Sequence, residues 1–204
     1  MFESGISVKN LIDELKNTEV DIALDIPNAT YVTWFNSLQQ LLYTEIIKEQ
    51  KKVTVSEWKN NLVDISSIKG ENENTPIFED VHAVYTNDGT QLIKSTVASG
   101  VIFPNTYFRI TNKLGFNTIE EPSELTIVYF VRPALVSVTE NDEIEDATVK
   151  LPVEFIDLAK AKLRGEAYKL ANEDNLAAKW LNDYNILLET FKAWIADKSA
   201  TFGL

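Results

Sequence analysis

The stretch from Phe130 to Ile195 constrains the fold of this 204-residue chain more than any other. It opens with an aromatic and β-branched run that ends at Arg132-Pro133, and an acidic segment then leads to Leu151-Pro152. Proline suits the first turn of a helix, because its missing N–H would have no intrahelical partner there. Two apolar runs at helical spacing follow, separated by a polar break at residues 172–175. The stretch therefore predicts a strand, an acidic loop and two amphipathic helices that form an antiparallel hairpin.

The N-terminal region also predicts helices. Apolar residues at positions 8, 11, 12 and 15 share one face of a short helix, and Ser7 is its expected N-cap. A longer helix is expected from Ala29 or Thr30 to Gln50, with an apolar stripe broad enough for the centre of a core. Near its expected C-terminus, three lysines would interact favourably with the helix dipole: Lys48, Lys51 and Lys52.

The middle of the chain changes to short segments rich in β-branched and aromatic residues, which predict about five strands in a mostly antiparallel sheet. Turn signals separate these segments, and Asn87-Asp88-Gly89 is a hairpin candidate. Separate blocks of helix and strand favour an α+β fold over a parallel βαβ fold. We therefore predict four parts: N-terminal helices over residues 1–52, a β-rich insertion over 53–148, a C-terminal helix hairpin over 149–198 that completes a helical bundle, and a tail over 199–204.

Few residues could carry catalysis or hold a cofactor. The chain has one histidine, His82, and no cysteine, so a Ser-His-Asp or Cys-His arrangement would have to include His82. The sequence contains no HExxH, P-loop or GxGxxG motif. A hydrolase with paired carboxylates would need two carboxyl groups whose pKa values are pushed apart in one cleft, an arrangement that a sequence does not display. We therefore expect no enzyme activity, no cofactor and no metal site.

The net charge of −12 and the pI near 4.6 bear on the partners of the chain. Tight non-specific binding of nucleic acid requires basic residues that displace phosphate counterions, so an acidic chain is expected to repel DNA. The acidity either serves solubility or belongs to a surface past which DNA slides without sticking. No apolar run reaches the length of a membrane span, and the N-terminus lacks the pattern of a secretory signal.

Three features in the chain resemble the head-to-tail adaptor proteins of tailed bacteriophages, also called connector or head-completion proteins. The first is a short helix followed by a helix that reads Trp34-Phe35-Asn36-Ser37-Leu38-Gln39-Gln40. The second is the aromatic strand that ends at Arg132-Pro133 before the acidic linker. The third is Leu151-Pro152, the polar break at residues 172–175 and a last helix with spaced aromatic residues. The order and spacing of these features carry the resemblance.

The resemblance implies a virion structural protein, made in the cytoplasm of the bacterial host and located in the neck between head and tail. Its partners would be the portal protein, the next neck or tail component, and further copies of itself in a ring, a dodecamer by family resemblance. Such a ring would extend the DNA channel without tight binding of the passing double-stranded DNA, because like charges repel. No membrane partner is implied.

Two groups of residues are candidates for these contacts. The end of the chain is the candidate for docking on the portal, with a frayed terminus as the alternative: Trp194, Ile195, Phe202 and Leu204. The acidic loops are candidates to line the channel or to contact the next ring, with a plain solvated loop as the alternative: Glu71, Glu73, Glu140, Asp142, Glu143, Glu145 and Asp146.

A second hypothesis is a binding module built on the β insertion, either tail-associated or directed at a glycan or protein of the host surface. Aromatic faces stack on sugars and anchor protein interfaces. Packing within the sheet is the other use of such residues. The candidates for exposure are Trp58, Tyr85, Tyr107 and Phe116.

Overall fold

Two units divide the chain: a helical unit of residues 1–47 and 134–204, and a sheet unit of residues 48–133. The computed structural model describes residues 6–18, 26–48, 50–65, 78–95, 103–131, 135–145, 148–149 and 151–202. The predicted α+β class is confirmed. The described residues 135–145, which the sequence assigned to the β insertion, belong to the helical unit.

The helical unit contains four α-helices in its described residues: α1 Val8–Thr18, α2 Asn28–Leu41, α3 Ile156–Leu170 and α4 Asp174–Phe202. A π-helical segment, Leu42–Ile47, continues α2 directly. Pro152 does not begin α3 itself, because a 3-10 turn at Val153–Phe155 comes first. The last helix runs four residues beyond the predicted end at residue 198.

Nine strands follow one another along the described chain: β1 Ile6–Ser7, β2 Gln50–Val55, β3 Leu62–Asp64, β4 Phe78–Thr86, β5 Gln91–Lys94, β6 Thr106–Ile110, β7 Lys113–Asn117, β8 Leu125–Val131 and β9 Thr148–Val149. In the helical unit, β1 pairs antiparallel with β9. The other seven strands form one curled sheet in the order β2-β8-β4-β5-β6-β7-β3. Among the strands that the structure describes, only β5 and β6 are parallel neighbours. The sheet therefore has more strands than the five expected from the sequence. Arg132 and Pro133, which follow β8, lie outside the described residues.

The first helix begins where its sequence predicts. The Ser7 hydroxyl oxygen accepts a hydrogen bond of 3.2 Å from the backbone N–H of Asn10, which confirms Ser7 as a cap. The apolar face of α1 is buried as expected, with Leu11 and Ile12 in the core of the helical unit. An ion pair of 2.6 Å between Glu14 and Lys160 joins α1 to α3.

The second helix ends earlier than predicted. Its π-helical continuation stops at Ile47, and Lys48 has a φ of +47°, a left-handed conformation that ends the helix. Gln50 already belongs to β2, which pairs antiparallel with β8 along its whole length. The expectation that Lys51 and Lys52 lie near a helix C-terminus is therefore wrong, since both are strand residues.

A left-handed residue separates α3 from α4 within the predicted polar break. Asn172 has a φ of +60° and donates its backbone N–H to the carbonyl of Lys169 at 3.2 Å. The N–H of Glu173 donates to the carbonyl of Tyr168 at 2.9 Å. This pair of bonds satisfies carbonyl groups that the end of a helix leaves without partners.

The contacts between α3 and α4 are antiparallel, since residues later in α3 meet residues earlier in α4. A Cβ at Gly165 would lie 2.7 Å from Cγ and Cδ2 of Leu181, so the missing side chain lets α4 approach α3 closely. Nearer the start of α3, the Lys162 ammonium lies 5.3 Å from the centroid of the Tyr184 ring. The ring of Phe155 lies 4.8 Å from that of Phe191.

Each unit has its own core. In the helical unit, the largest fully buried side chains include Tyr31, Phe35, Leu158 and Phe191. In the sheet unit, the buried set includes Val84, Leu92, Leu114, Leu125 and Ile127. The β4–β5 hairpin forms at the predicted turn, where Gly89 has a φ of +86° and donates its N–H to Thr86 at 2.9 Å.

Candidate functional site

The acidic segment before the C-terminal helices is an ordered turn, which we call the acidic turn, residues 137–145. Val138 and Ile144 form an antiparallel bridge, and Ile144 is buried in the core of the helical unit. Within the turn, the Thr139 N–H donates to the Glu143 carbonyl at 2.8 Å, and the Asp142 N–H donates to the Thr139 carbonyl at 3.0 Å. The acidic turn is therefore ordered by its own backbone hydrogen bonds.

The Asp142 side chain is half-buried and contacts the N-terminus of α2. Its two carboxylate oxygens accept hydrogen bonds of 2.7 Å from the backbone N–H groups of Asn28 and Ala29, the first two residues of α2. Carboxylates are favourable at this position, because the N-terminus of a helix has unpaired N–H groups and a partial positive charge. Asp142 therefore contacts the start of α2, and its assignment to a channel or ring contact stays a prediction.

A second attachment holds the start of the acidic turn. The Asn36 side-chain amide donates to the carbonyl of Val136 at 2.9 Å, and its oxygen accepts the N–H of Val136 at 3.0 Å. Val136 is buried against the core of the helical unit. Since Asn36 lies on α2, both attachments fix the acidic turn to the same helix.

The remaining described acidic residues of the turn point outwards. Glu140, Glu143 and Glu145 are exposed, and Glu145 also accepts a hydrogen bond from the Ser137 hydroxyl. The structure thus brings three of the predicted acidic residues together on one hydrogen-bonded turn, where their side chains are exposed. Asp146, and the predicted pair Glu71 and Glu73, lie outside the described residues.

Two of the candidate docking residues near the C-terminus, Trp194 and Ile195, contribute to packing within the helical unit. Trp194 and Ile195 are half-buried against its core. The Trp194 ring lies 5.5 Å from the ring of Phe155 and 6.2 Å from that of Phe191. Phe202 is the last residue of α4, and Leu204 lies outside the described residues. Most of the Trp194 side chain is therefore already used inside the unit.

The aromatic residues proposed for glycan or protein binding are mainly core residues of the sheet unit. Tyr107 and Phe116 are 2% and 3% exposed, so the expectation that these two are exposed is wrong. Trp58 is half-buried and packs edge-on against Phe116, with ring centroids 5.2 Å apart. Tyr85 is also half-buried. No exposed aromatic platform is formed by these four residues.

An opening in the sheet unit was not anticipated from the sequence. It lies between β2 and β3, the two edge strands, and has a volume of about 900 Å³. Lys59 and Leu62 are bridged by backbone hydrogen bonds of 3.1 and 3.2 Å across Asn60-Asn61, whose φ values are +55° and +56°. The asparagine pair is a sequence signal for such a turn. Apolar residues line the opening, among them Val53, Val55, Trp58 and Val63.

Among the described residues, no group of three or more histidine, aspartate or glutamate side chains is arranged to hold a metal ion. No described helix combines the length and apolar composition that a membrane span requires. Comparison with protein-family models and with curated proteins returns no match.

Proposed function

We propose that this chain is a head-to-tail adaptor of a tailed bacteriophage, a structural subunit of the neck that assembles as a ring under the portal. It acts by assembly rather than by catalysis, extends the DNA channel and links the capsid to the tail. Its partners are the portal protein, the next neck or tail component and further copies of itself. It is made in the cytoplasm of the bacterial host and becomes part of the virion.

The observation that carries this proposal is the hydrogen-bonded acidic turn. Asp142 and Asn36 attach it to α2, while Glu140, Glu143 and Glu145 remain exposed. A hydrogen-bonded turn whose exposed charged side chains are all acidic suits a protein that forms repeated contacts and does not retain DNA, because like charges repel at modest ionic strength. The exposed glutamates of the turn therefore support a role in contacts with a partner. They lie in the acidic linker to which the resemblance assigned this role.

The arrangement of the helical unit is part of the proposal. We take α1 and α2 together with the antiparallel pair α3 and α4 as one bundle, into which the sheet unit is inserted. The contacts of Gly165 with Leu181 and of Phe155 with Phe191 support the antiparallel pair. The ion pair between Glu14 and Lys160 supports the addition of α1 to it.

The composition of the virion tests the proposal. Purified particles of the phage that encodes the chain are expected to contain it in about the same copy number as the portal protein. A nonsense mutation in its coding sequence is expected to give DNA-filled heads without attached tails. Purified chain and portal protein are expected to form a complex whose mass, measured by mass photometry, corresponds to a ring of 23.1 kDa subunits on the portal.

Two results would contradict the proposal. Infectious particles that lack the chain would show that it is not a neck component. Retention of double-stranded DNA by the purified chain at physiological salt would contradict the non-adhesive channel surface. A control chain with Glu140→Lys and Glu143→Lys tests the second point, because added lysines are expected to increase DNA retention.

A further inference from the structure

The turn between β4 and β5 contains the one Asp-Gly pair of the chain, Asp88-Gly89, and the sequence has no Asn-Gly pair. Both residues are exposed, and a Cβ placed on Gly89 would meet no atom within 4 Å. Glycine has no side chain to shield the preceding carboxyl group, so an Asp-Gly pair is the aspartate context most open to isomerisation through a succinimide. Since packing does not shield Gly89, the chemical lifetime of the pair depends on the hydrogen bonds of the turn.

Isomerisation of this pair would begin with the backbone nitrogen of Gly89 and the side-chain carbon Cγ of Asp88. A bond forms between these two atoms, while the amide proton and the carboxyl hydroxyl leave as water and a succinimide ring closes. Water then adds to one of the two ring carbonyl groups. Cleavage of the bond between nitrogen and Cγ restores aspartate, whereas cleavage of the bond between nitrogen and the backbone carbonyl carbon gives isoaspartate. Water is the only other reactant, and the mass of the chain is unchanged at the end.

The reacting groups of both residues are engaged in hydrogen bonds within the turn. The Asp88 oxygen Oδ1 accepts from the Thr86 hydroxyl and, at 2.9 Å, from the backbone N–H of Thr90. The N–H of Gly89 donates to the carbonyl of Thr86, also at 2.9 Å. Closure of the succinimide ring removes the Gly89 proton and the negative charge of Asp88, so it breaks the third of these bonds and weakens the other two. The folded turn therefore opposes ring closure.

The same threonines favour the ionised form of the Asp88 carboxyl group. The hydrogen bond from the Thr86 side chain, followed by those from Thr90, lowers the pKa of Asp88 below its ordinary value of 3.8. A carboxylate is attacked by a nucleophile less readily than the protonated acid, because its negative charge makes Cγ less electrophilic. The hydrogen bonds thus oppose the first step through charge as well as through geometry.

We propose that Asp88 is the isoaspartate-forming position of this chain, and that Thr86 is the positioning residue that keeps it as aspartate in the folded protein. The proposal is independent of the proposed adaptor function. Isoaspartate adds one carbon atom to the backbone of the turn, and the turn of a hairpin fixes the register of its strands. That register places Val84 opposite Leu92, and both are buried in the core of the sheet unit. Formation of isoaspartate is therefore expected to destabilise the sheet unit.

Prolonged incubation of the purified chain at neutral pH tests the proposal, with a parallel sample unfolded in urea. Isoaspartate is quantified with an isoaspartate-specific carboxyl methyltransferase, and its position is assigned by fragmentation of the proteolytic peptides. We expect it at Asp88 first, and about tenfold or more slowly in the folded chain than in urea, because unfolding removes the hydrogen bonds to the carboxylate. The thermal unfolding midpoint of the folded chain is expected to fall as isoaspartate accumulates.

Substitutions of Thr86 separate its hydroxyl from its shape. Thr86→Val is expected to raise the rate of isoaspartate formation in the folded chain about tenfold, because the side-chain donor to the carboxylate is lost. Thr86→Ser keeps a hydroxyl and is expected to keep the slow rate. Thr190→Val, which removes an exposed hydroxyl from α4, is the matched control and should react like the unchanged chain. Asp88→Glu should abolish the signal, because its ring would need an additional atom.

Three results would overturn the proposal. Isoaspartate that forms first at another aspartate would show that Asp88 is not the reactive position. Equal rates in the folded and urea-unfolded chain would show that the turn gives no protection. A Thr86→Ser rate as high as that of Thr86→Val would remove the hydroxyl from its role, even if both variants remain folded by circular dichroism.

Discussion

Asp142 caps the helix that begins at Asn28, although 114 positions separate the two residues. Pro27 occupies the N-cap position of α2 and makes no side-chain hydrogen bond there. The Asp142 carboxylate supplies the missing acceptors, and the Asn28 side chain donates to the Asp142 carbonyl at 2.6 Å. Asp142 has a φ of +61°, a left-handed conformation that aspartate and asparagine adopt more readily than most residues. The acidic turn and α2 therefore stabilise each other.

Removal of the Asp142 carboxylate is predicted to lower the free energy of unfolding. Asp142→Ala should cost about 1 to 2 kcal/mol, because the N–H groups of Asn28 and Ala29 lose their acceptors. Asp142→Asn should cost less, since it keeps one acceptor oxygen and the left-handed preference. Urea denaturation measures both. Glu143→Gln on the same turn is the control, and an equal loss there would show that the cap has no special role.

The attachment by Asn36 is also predicted to contribute to the free energy of unfolding. Asn36→Ala should destabilise the protein by about 1 to 2 kcal/mol, because both backbone groups of Val136 lose a partner in a partly buried place. Hydrogen exchange should accelerate at residues 136–145 in this variant and much less in α3. Ser37→Ala, an exposed neighbour on α2, should change the free energy of unfolding by less than about 0.5 kcal/mol. Unchanged exchange in the acidic turn would contradict the role assigned to Asn36.

For Gly165→Ala, the cost of a steric clash with Leu181 is predicted to exceed the gain in helix propensity. Alanine in a helix is favoured over glycine by about 1 kcal/mol. Overpacking typically costs about 1 to 3 kcal/mol, and a Cβ here would meet Leu181 side-chain atoms at 2.7 Å and its backbone N at 3.3 Å. Gly165→Ala should therefore destabilise the protein by about 1 kcal/mol. In a Leu181→Ala background the same change should become neutral or stabilising, and a double-mutant cycle by thermal unfolding measures the coupling.

The alkaline limit of stability is predicted to depend on Tyr184. Burial raises the pKa of Tyr184 above its ordinary value of 10.0; Lys192 nearby opposes this shift and Glu45 adds to it. The folded state thus favours the protonated phenol, so its contribution to stability is complete below pH 10 and is lost as the pH rises through the folded pKa. The free energy of unfolding should fall more steeply above pH 10 in the unchanged protein than in Tyr184→Phe. Parallel slopes would contradict the shift.

Local signals predicted the elements that depend on neighbouring residues. The cap at Ser7, the hairpin at Gly89 and the break at Asn172 form where the sequence indicates them. Each depends on a hydroxyl or on a residue that tolerates a positive φ, and both properties are readable from a few adjacent positions. The helical period before and after residues 172–175 was also sufficient to predict α3 and α4.

The role of the acidic residues was not readable in the same way. Asp142 and Glu143 are neighbours in one polar run, yet one binds a helix terminus and the other is exposed. Lys51 and Lys52 follow a helical pattern, yet they pair with β8. In each case a contact across a large distance in sequence outweighs the local preference.

The sequence by itself determined the α+β class, the position of most helices and the acidic character of the segment before α3, because these follow from composition and periodicity. Only the tertiary structure decided that Asp142 caps α2, that Tyr107 and Phe116 are core residues, and that β2 and β3 border one opening. The physical reason is that a cap, a buried ring and a sheet edge are defined by partners far along the chain. The hydrophobic period of the sequence shows which face of a helix or strand is apolar. The tertiary fold determines which other residues that face contacts.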